Sequence, residues 1–248
     1  MIHNEKTCWV VEAGLIAYEP ACELQRELVA ARKAGAIPDV LLLCEHPHVI
    51  TLGRNGKREN LHASERVLAQ MHAEFHPADR GGDITYHGPG QIVGYPILDL
   101  AQHRRDVRWY VEQLEETMLR ASADFGVAVK RLPGCHGVWV YTAAGEEKLG
   151  ALGVHLSRWV TSHGFAYNVS TDLRYFELIV PCGIAGKRAT SLEKILGRGV
   201  PSEDVKTRLV AHFAEVFGRE AQSVSRKELT EAVRARNADA ATLVNAAL

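Results

Sequence analysis

The segment of this chain richest in chemistry is Arg80-Gly81-Gly82-Asp83-Ile84-Thr85-Tyr86-His87-Gly88-Pro89-Gly90-Gln91. Glycines admit positive φ and let a ligand approach the backbone closely. Exposed amides in such a loop can hold a carbonyl or phosphate oxygen. Arg80 could hold an anion, and Tyr86 and His87 could supply hydrogen bonds or a wall. The alternative is an ordinary tight turn between strands, which the number of functional side chains argues against. The pattern is neither GxxxxGK[ST] nor GxGxxG, so it is not a nucleotide loop of either kind.

A second segment is Glu147-Lys148-Leu149-Gly150-Ala151-Leu152-Gly153-Val154-His155. On a regular strand Lys148, Gly150, Leu152 and Val154 share one face. A lysine on a face of small and apolar groups is partly desolvated. Desolvation lowers its pKa from about 10.4 and suits it to proton transfer. Periodicity alone favours the plainer reading, a strand-edge lysine with its ammonium in water.

The third segment is Ile179-Val180-Pro181-Cys182-Gly183-Ile184, which puts Cys182 between Pro and Gly at the end of an apolar run. A cysteine at such a turn is a candidate nucleophile, provided a neighbour takes its proton. Cys135, in Pro-Gly-Cys-His, is the competing thiol. Cys8, Cys22 and Cys44 read as inert buried hydrophobes. Glu45, His46 and His48 could ligate a metal, but twelve histidines make chance clusters common and HExxH is absent. His163 to Asn168 shapes a pocket or simply starts a strand.

The surrounding pattern supplies elements to position these groups. Helical periodicity with a Gly and Pro stop predicts a helix over 20–34. Val40–Cys44 and Val49–Leu52 read as strands, and Ser64 starts a short helix. Ile92–Leu98 reads as a strand, and Asp106–Phe125 is the strongest helix, closed by Gly126. Val138–Tyr141 and Leu149–Leu156 suggest a hairpin, with Phe165–Val169 a further strand. Ser202–Phe217 reads as a capped amphipathic helix. Strands grouped around a few helices predict an α+β fold. No linker or repeat appears, so residues 1–220 read as one catalytic domain and 221–248 as a helical or loosely ordered tail.

Bulk composition bounds the role. Hydrophobic residues make up 46%, enough for a sizeable core, and the formal net charge is -1. That balance gives no support for a general nucleic-acid or membrane-surface partner. Five cysteines without a CxxC pair point to free thiols in a reducing compartment and against structural zinc. No secretory leader or bilayer-length apolar run is evident, and the expectation is a cytoplasmic protein.

Together the segments resemble the octanoyltransferases of protein lipoylation, also called lipoyl(octanoyl) transferases. That family carries RGGxxTYHGPGQ, K-x-x-A-L-G, HG-[FL]-A-x-N-V and P-C-G-I. All are present in order, starting at Arg80, Lys148, His163 and Pro181, and the resemblance spans roughly residues 40 to 195. It implies a single domain like the biotin and lipoate protein ligase catalytic domains, with a mixed sheet flanked by helices. It implies transfer of octanoate from acyl carrier protein to a lipoyl-domain lysine of 2-oxoacid dehydrogenase complexes or the glycine cleavage H protein.

The resemblance also places the roles. Cys182 falls on the family's nucleophile and Lys148 on its catalytic lysine. Acyl-binding positions fall on Arg80, Gly81, Gly82, Asp83, Ile84, Thr85, Tyr86 and His87, on Ala151, Leu152 and Gly153, and on Gly164, Phe165 and Ala166. His155 stands where many members have arginine. A thioester donor and thioester intermediate need neither ATP, metal nor other cofactor. The competing readings are an ATP-dependent lipoate or biotin ligase, whose GRGRxG or RRxSGGG signatures are missing, a non-catalytic acyl-binding module, and a metal hydrolase built on His46, His48 and His87.

Overall fold

The computed structural model describes residues 6–143, 145–180 and 187–234. Its spine is a mixed sheet. The first strand, β1 (Thr7–Leu15), leads into helix α1 (Tyr18–Lys33), strand β2 (Asp39–Glu45) and strand β3 (Val49–Leu52). Helix α2 (Glu65–Gln70), β4 (Glu74–Pro77), β5 (Ile84–His87) and β6 (Gln91–Ile97) follow. Then come α3 (Val107–Asp124), β7 (Lys130–Leu132), β8 (Cys135–Thr142), β9 (Gly145–Ser157) and β10 (Val160–Asn168). The chain continues through β11 (Arg188–Ala189), α4 (Leu192–Leu196), α5 (Ser202–Phe217) and β12 (Glu220–Ser223).

In the large sheet the order is β12-β1-β2-β6-β10-β9-β8-β7, with β11 on β9. β1 runs parallel to β2 and β12, and β2, β6, β10, β9, β8 and β7 alternate antiparallel. A small sheet, β4-β3-β5, sits beside it. The expected α+β class and mixed sheet with flanking helices are what the chain adopts.

Alternation along β2 shows how the sheet is covered. Leu41 and Leu43 pack with Tyr110, Leu114 and Met118 of α3 and Leu209 and Phe213 of α5. Val40, Leu42 and Cys44 face the other way, onto Ala21, Leu28 and Ala31 of α1. Burying each such Leu is worth about 1.5–3 kcal/mol. Helix α3 starts as its sequence suggests, with the Asp106 carboxylate accepting from the Trp109 N–H at 3.0 Å. Helix α5 departs from the capping expectation. Pro201 precedes it with no side-chain cap, and the Ser202 hydroxyl is buried without a partner. Gly218 ends it in the left-handed conformation.

The division expected at residue 220 meets the first residue of β12, which extends the sheet at its β1 edge. In the helical residues 226–234, Leu229 and Val233 are buried against the α1 face. Arg219, just before β12, reaches a buried ion cluster around Asp39. The Asp39 carboxylate accepts from Arg32 Nε, Arg219 Nε and His103 Nε2, each at 2.8 Å.

Candidate active site

A cavity of about 580 Å³ lies between the Gly-rich loop and the sheet. That volume is within the usual range for small-molecule sites. The β8–β9 ladder ends at the Val138–Gly150 pair, so β9 outruns its neighbour. Beyond that pair the loop docks on β9, the Gly81 N–H donating to the Val154 carbonyl at 2.8 Å. The cavity wraps this edge, with Ala151 and Gly153 on one face and Leu152 and Val154 on the other.

Small residues make room for it. Ala151 pairs with Ala166 and Gly153 with Gly164, so four small positions form one patch of sheet facing the loop. A Cβ on Gly153 would lie 2.7 Å from the Gly81 carbonyl oxygen. Leu152 and Phe165 pair on the opposite face, where Phe165 is buried in the α3–α5 core and covers Gly94. Both still border the cavity.

Lys148 departs from simple alternation. Leu149 is an extra residue in β9, because Val138 pairs with Gly150 while the adjacent Trp139 pairs with Lys148. The bulge puts Leu149 in the α3–α5 core and leaves Lys148 on the face of Trp139. Lys148 therefore does not share a face with Gly150, Leu152 and Val154 as period-two reading expects. Its Nζ lies 4.6 Å from the Trp139 ring centroid, and Lys187 Nζ stands 5.5 Å from the same ring. Ala189 in β11 pairs with Lys148, and the Lys148 carbonyl accepts from the Thr190 N–H at 2.9 Å.

Of the Gly-rich residues, Arg80, Gly81, Gly82, Asp83, Ile84, Thr85 and His87 line the cavity. Arg80 also buttresses the loop. It donates to the Thr51 carbonyl and hydroxyl, each at 2.8 Å, and to the Gly81 carbonyl at 3.1 Å. Asp83 accepts from Asn60 Nδ2 at 2.6 Å and from the Ile84 N–H at 2.7 Å. Tyr86 is not part of the lining. Strand alternation turns it into the small-sheet core, where it stacks on Tyr175 at 4.8 Å and its hydroxyl meets His48 Nδ1 at 2.7 Å.

Histidines gather at one side. His163 has φ 54, which swings its ring toward Tyr95 and onto Asp79, 2.7 Å from Oδ1. His155 approaches the other Asp79 oxygen at 3.8 Å. Burial resists the Asp79 charge, but the hydrogen bond from His163 and the nearby imidazoles bring its pKa below the ordinary value. His46 bonds the Ile16 carbonyl at 2.7 Å and the Tyr95 hydroxyl at 2.8 Å. Burial, then His46 and Arg80, push His87 down to about 3, so it is neutral at physiological pH.

The described cysteines divide in the same way. Burial raises the pKa of Cys8 and Cys44 well above the thiol range, and that of Cys22 to about 11. Cys135 is half-buried and borders the cavity, its carbonyl accepting from Trp139 Nε1 at 3.2 Å. Cys182 lies outside the described residues.

The model of the lipoyl protein ligase A/B catalytic domain matches residues 17–214. An octanoyltransferase of Solibacter usitatus is 52% identical over 86% of this chain and 94% of its own length. One from Acidobacterium capsulatum is 48% identical over 85% of this chain and 90% of its own length. The chain belongs to the octanoyltransferase family. Among solved structures, a bipartite lipoate protein ligase from Thermoplasma acidophilum superposes with a TM-score of 0.69 over 94% of this chain and 91% of that one, at 14% identity. At that identity the likeness shows the shared fold.

Within this octanoyltransferase framework, several cavity residues carry no signal in the periodicity. Trp139 reads as a core strand residue, yet it carries Lys148. Tyr18 comes from α1, where Gln25, behind the lining, is a buried polar position whose Oε1 accepts from the His163 N–H at 2.7 Å. Val107 and Val111 reach the cavity from the start of α3.

Proposed function

We propose that this octanoyltransferase takes octanoate from the thioester of acyl carrier protein, holds it as a thioester on Cys182, and passes it to a lysine of a lipoyl domain. The acceptors are those of 2-oxoacid dehydrogenase complexes and the glycine cleavage H protein, and the setting is the cytoplasm. Among the described residues no helix is long and apolar enough to cross a membrane. The observation that carries the reading is the cavity: an open space over Ala151, Gly153, Gly164 and Ala166, bordered by Lys148. The chain after Cys182 returns as β11 directly beside Lys148, so a short tether joins the proposed nucleophile to its base.

In the first step Lys148 Nζ accepts the Cys182 thiol proton. The thiolate attacks the acyl carbon, the donor C–S bond breaks, and the departing phosphopantetheine sulfur takes the proton. In the second step the acceptor amine attacks the acyl-enzyme. The amine gives a proton to Lys148, the bond between the acyl carbon and the Cys182 sulfur breaks, and the proton returns to that sulfur. Thioester reactivity is kept throughout, so no adenylate is needed.

The test is incubation with octanoyl acyl carrier protein in the absence of ATP, followed by intact-mass spectrometry. A thioester adduct on the wild-type chain, absent in Cys182→Ser, is expected. An undiminished thioester adduct in that variant, or transfer that requires ATP, overturns the reading.

A further inference from the structure

A buried chain of side-chain amides joins the Gly-rich segment, through Asn168 at the end of β10, to the backbone of Lys148. His87 Nδ1 lies 2.7 Å from Gln91 Oε1. Gln91 Nε2 donates to the Tyr86 carbonyl at 3.1 Å and to Asn168 Oδ1 at 2.9 Å. Asn168 Nδ2 donates to the Thr190 carbonyl at 2.9 Å, and the Thr190 N–H donates to the Lys148 carbonyl. Asn168 is the last residue of β10, at the point where the edge of β9 passes from β10 to β11. His87, Gln91 and Asn168 are each more than nine-tenths buried.

The chain has one consistent direction. Thr190 offers Asn168 only a carbonyl oxygen, so Asn168 presents its nitrogen there and its oxygen to Gln91. Gln91 therefore presents its nitrogen to Asn168 and Tyr86, and its oxygen to His87. An amide oxygen only accepts, so His87 must donate from Nδ1. In the neutral ring Nε2 then carries a lone pair. No described residue bonds to Nε2, and it is not among the buried orphan atoms, so the ring offers it to the cavity that His87 lines.

We propose that Asn168 is a positioning residue for acyl transfer: through Gln91 it fixes the His87 proton on Nδ1, leaving Nε2 to accept a hydrogen bond from the incoming lysine amine. The acyl thioester brings only acceptors to the reacting carbon, and the amine is the group that arrives with N–H donors. The proposal rests on reading the cavity as the acyl-transfer site.

Long-range proton–nitrogen correlation of the histidine rings tests it at neutral pH. The wild-type chain should show His87 as neutral imidazole protonated on Nδ1. Asn168→Leu, which can neither donate nor accept, should lose that single form. It should also slow passage of octanoate from pre-formed acyl-enzyme to saturating acceptor about tenfold, the worth of one hydrogen bond, with acyl-enzyme formation changed less. Wild-type His87 protonated on Nε2 overturns the proposal. So does an unchanged tautomer in Asn168→Leu, whatever the rate does. The wild-type spectrum needs no variant to fold. It is read on the free protein, so failure of adduct trapping at Cys182 would leave it standing.

Discussion

Lys148 stands over the indole of Trp139 because Leu149 is inserted into β9 without a partner in β8. The bulge does two things at once. It feeds a leucine to the α3–α5 core and rotates the lysine to the face that the Gly-rich loop covers. An ammonium over an indole face is held by about 0.5–2 kcal/mol, depending on desolvation. Trp139→Phe should keep most octanoyl transfer, while Trp139→Leu should lose substantially more of it. Steady-state kinetics of both variants decide this, and equal losses would deny the indole a role in holding Lys148. Trp139→Ala should also cost about 3–5 kcal/mol in urea unfolding, since the side chain is 1% exposed.

Gly153→Ala should impair activity more than stability. The added methyl meets the Gly81 carbonyl oxygen at 2.7 Å, so the loop must lift from β9 and the Gly81–Val154 hydrogen bond breaks. A raised KM for the acyl donor, with an unfolding midpoint close to wild type, is the expected pattern. An unchanged KM would mean that the loop does not shape the acyl site.

Ala151→Leu should shift acyl preference toward shorter chains. The side chain fills floor space that the proposed acyl group occupies, and each methylene denied burial costs about 0.8 kcal/mol, or roughly fourfold in kcat/KM. Competition between hexanoyl and octanoyl donors gives the ratio directly.

Cys135 and the proposed nucleophile Cys182 should separate cleanly. Cys135→Ser should retain the acyl adduct and most transfer, because Cys135 borders the cavity without a place in the proposed route. Loss of the adduct in this variant would move the nucleophile from Cys182 to Cys135.

Asp39 should set the acid limit of stability. Burial opposes its charge, but His103 and Arg32 outweigh that and hold its pKa at about 2, below the ordinary 3.8. A depressed carboxylate stabilises the fold fully above its unfolded pKa, and the contribution disappears as pH falls through the folded value. Urea unfolding should therefore lose about 2 kcal/mol from this group between about pH 4 and 2. Asp39→Asn should cost about 3–5 kcal/mol near neutrality, because Arg32 and Arg219 would remain buried without their counter-charge.

What the sequence made legible follows from which physical signals are local. Helix α3 was readable because its apolar stripe and its Gly126 stop lie within one segment. The β2 strand was readable as an unbroken apolar run. The site positions came from motif resemblance, and the cavity lining contains all the described ones except Tyr86. Tyr86 and Lys148 defeated linear reading for opposite reasons. Regular alternation in β5 carries Tyr86 away from the cavity, and irregular pairing in β9 carries Lys148 to a face that period-two counting denies it. A bulge is decided by two strands together, so neither strand's residues announce it. The Asp39 cluster is likewise invisible in sequence, because its members come from α1, β2, the turn before α3 and the residue before β12.

The docking of Gly81 on Val154 has a consequence beyond catalysis. A strand that extends past its neighbour offers bare N–H and C=O groups to any other extended chain, and proteins usually guard such borders against self-association. Here the guard is the Gly-rich loop itself. Variants that loosen this loop should therefore precipitate more readily as well as turn over more slowly, so poor recovery on expression would be a symptom of the same defect.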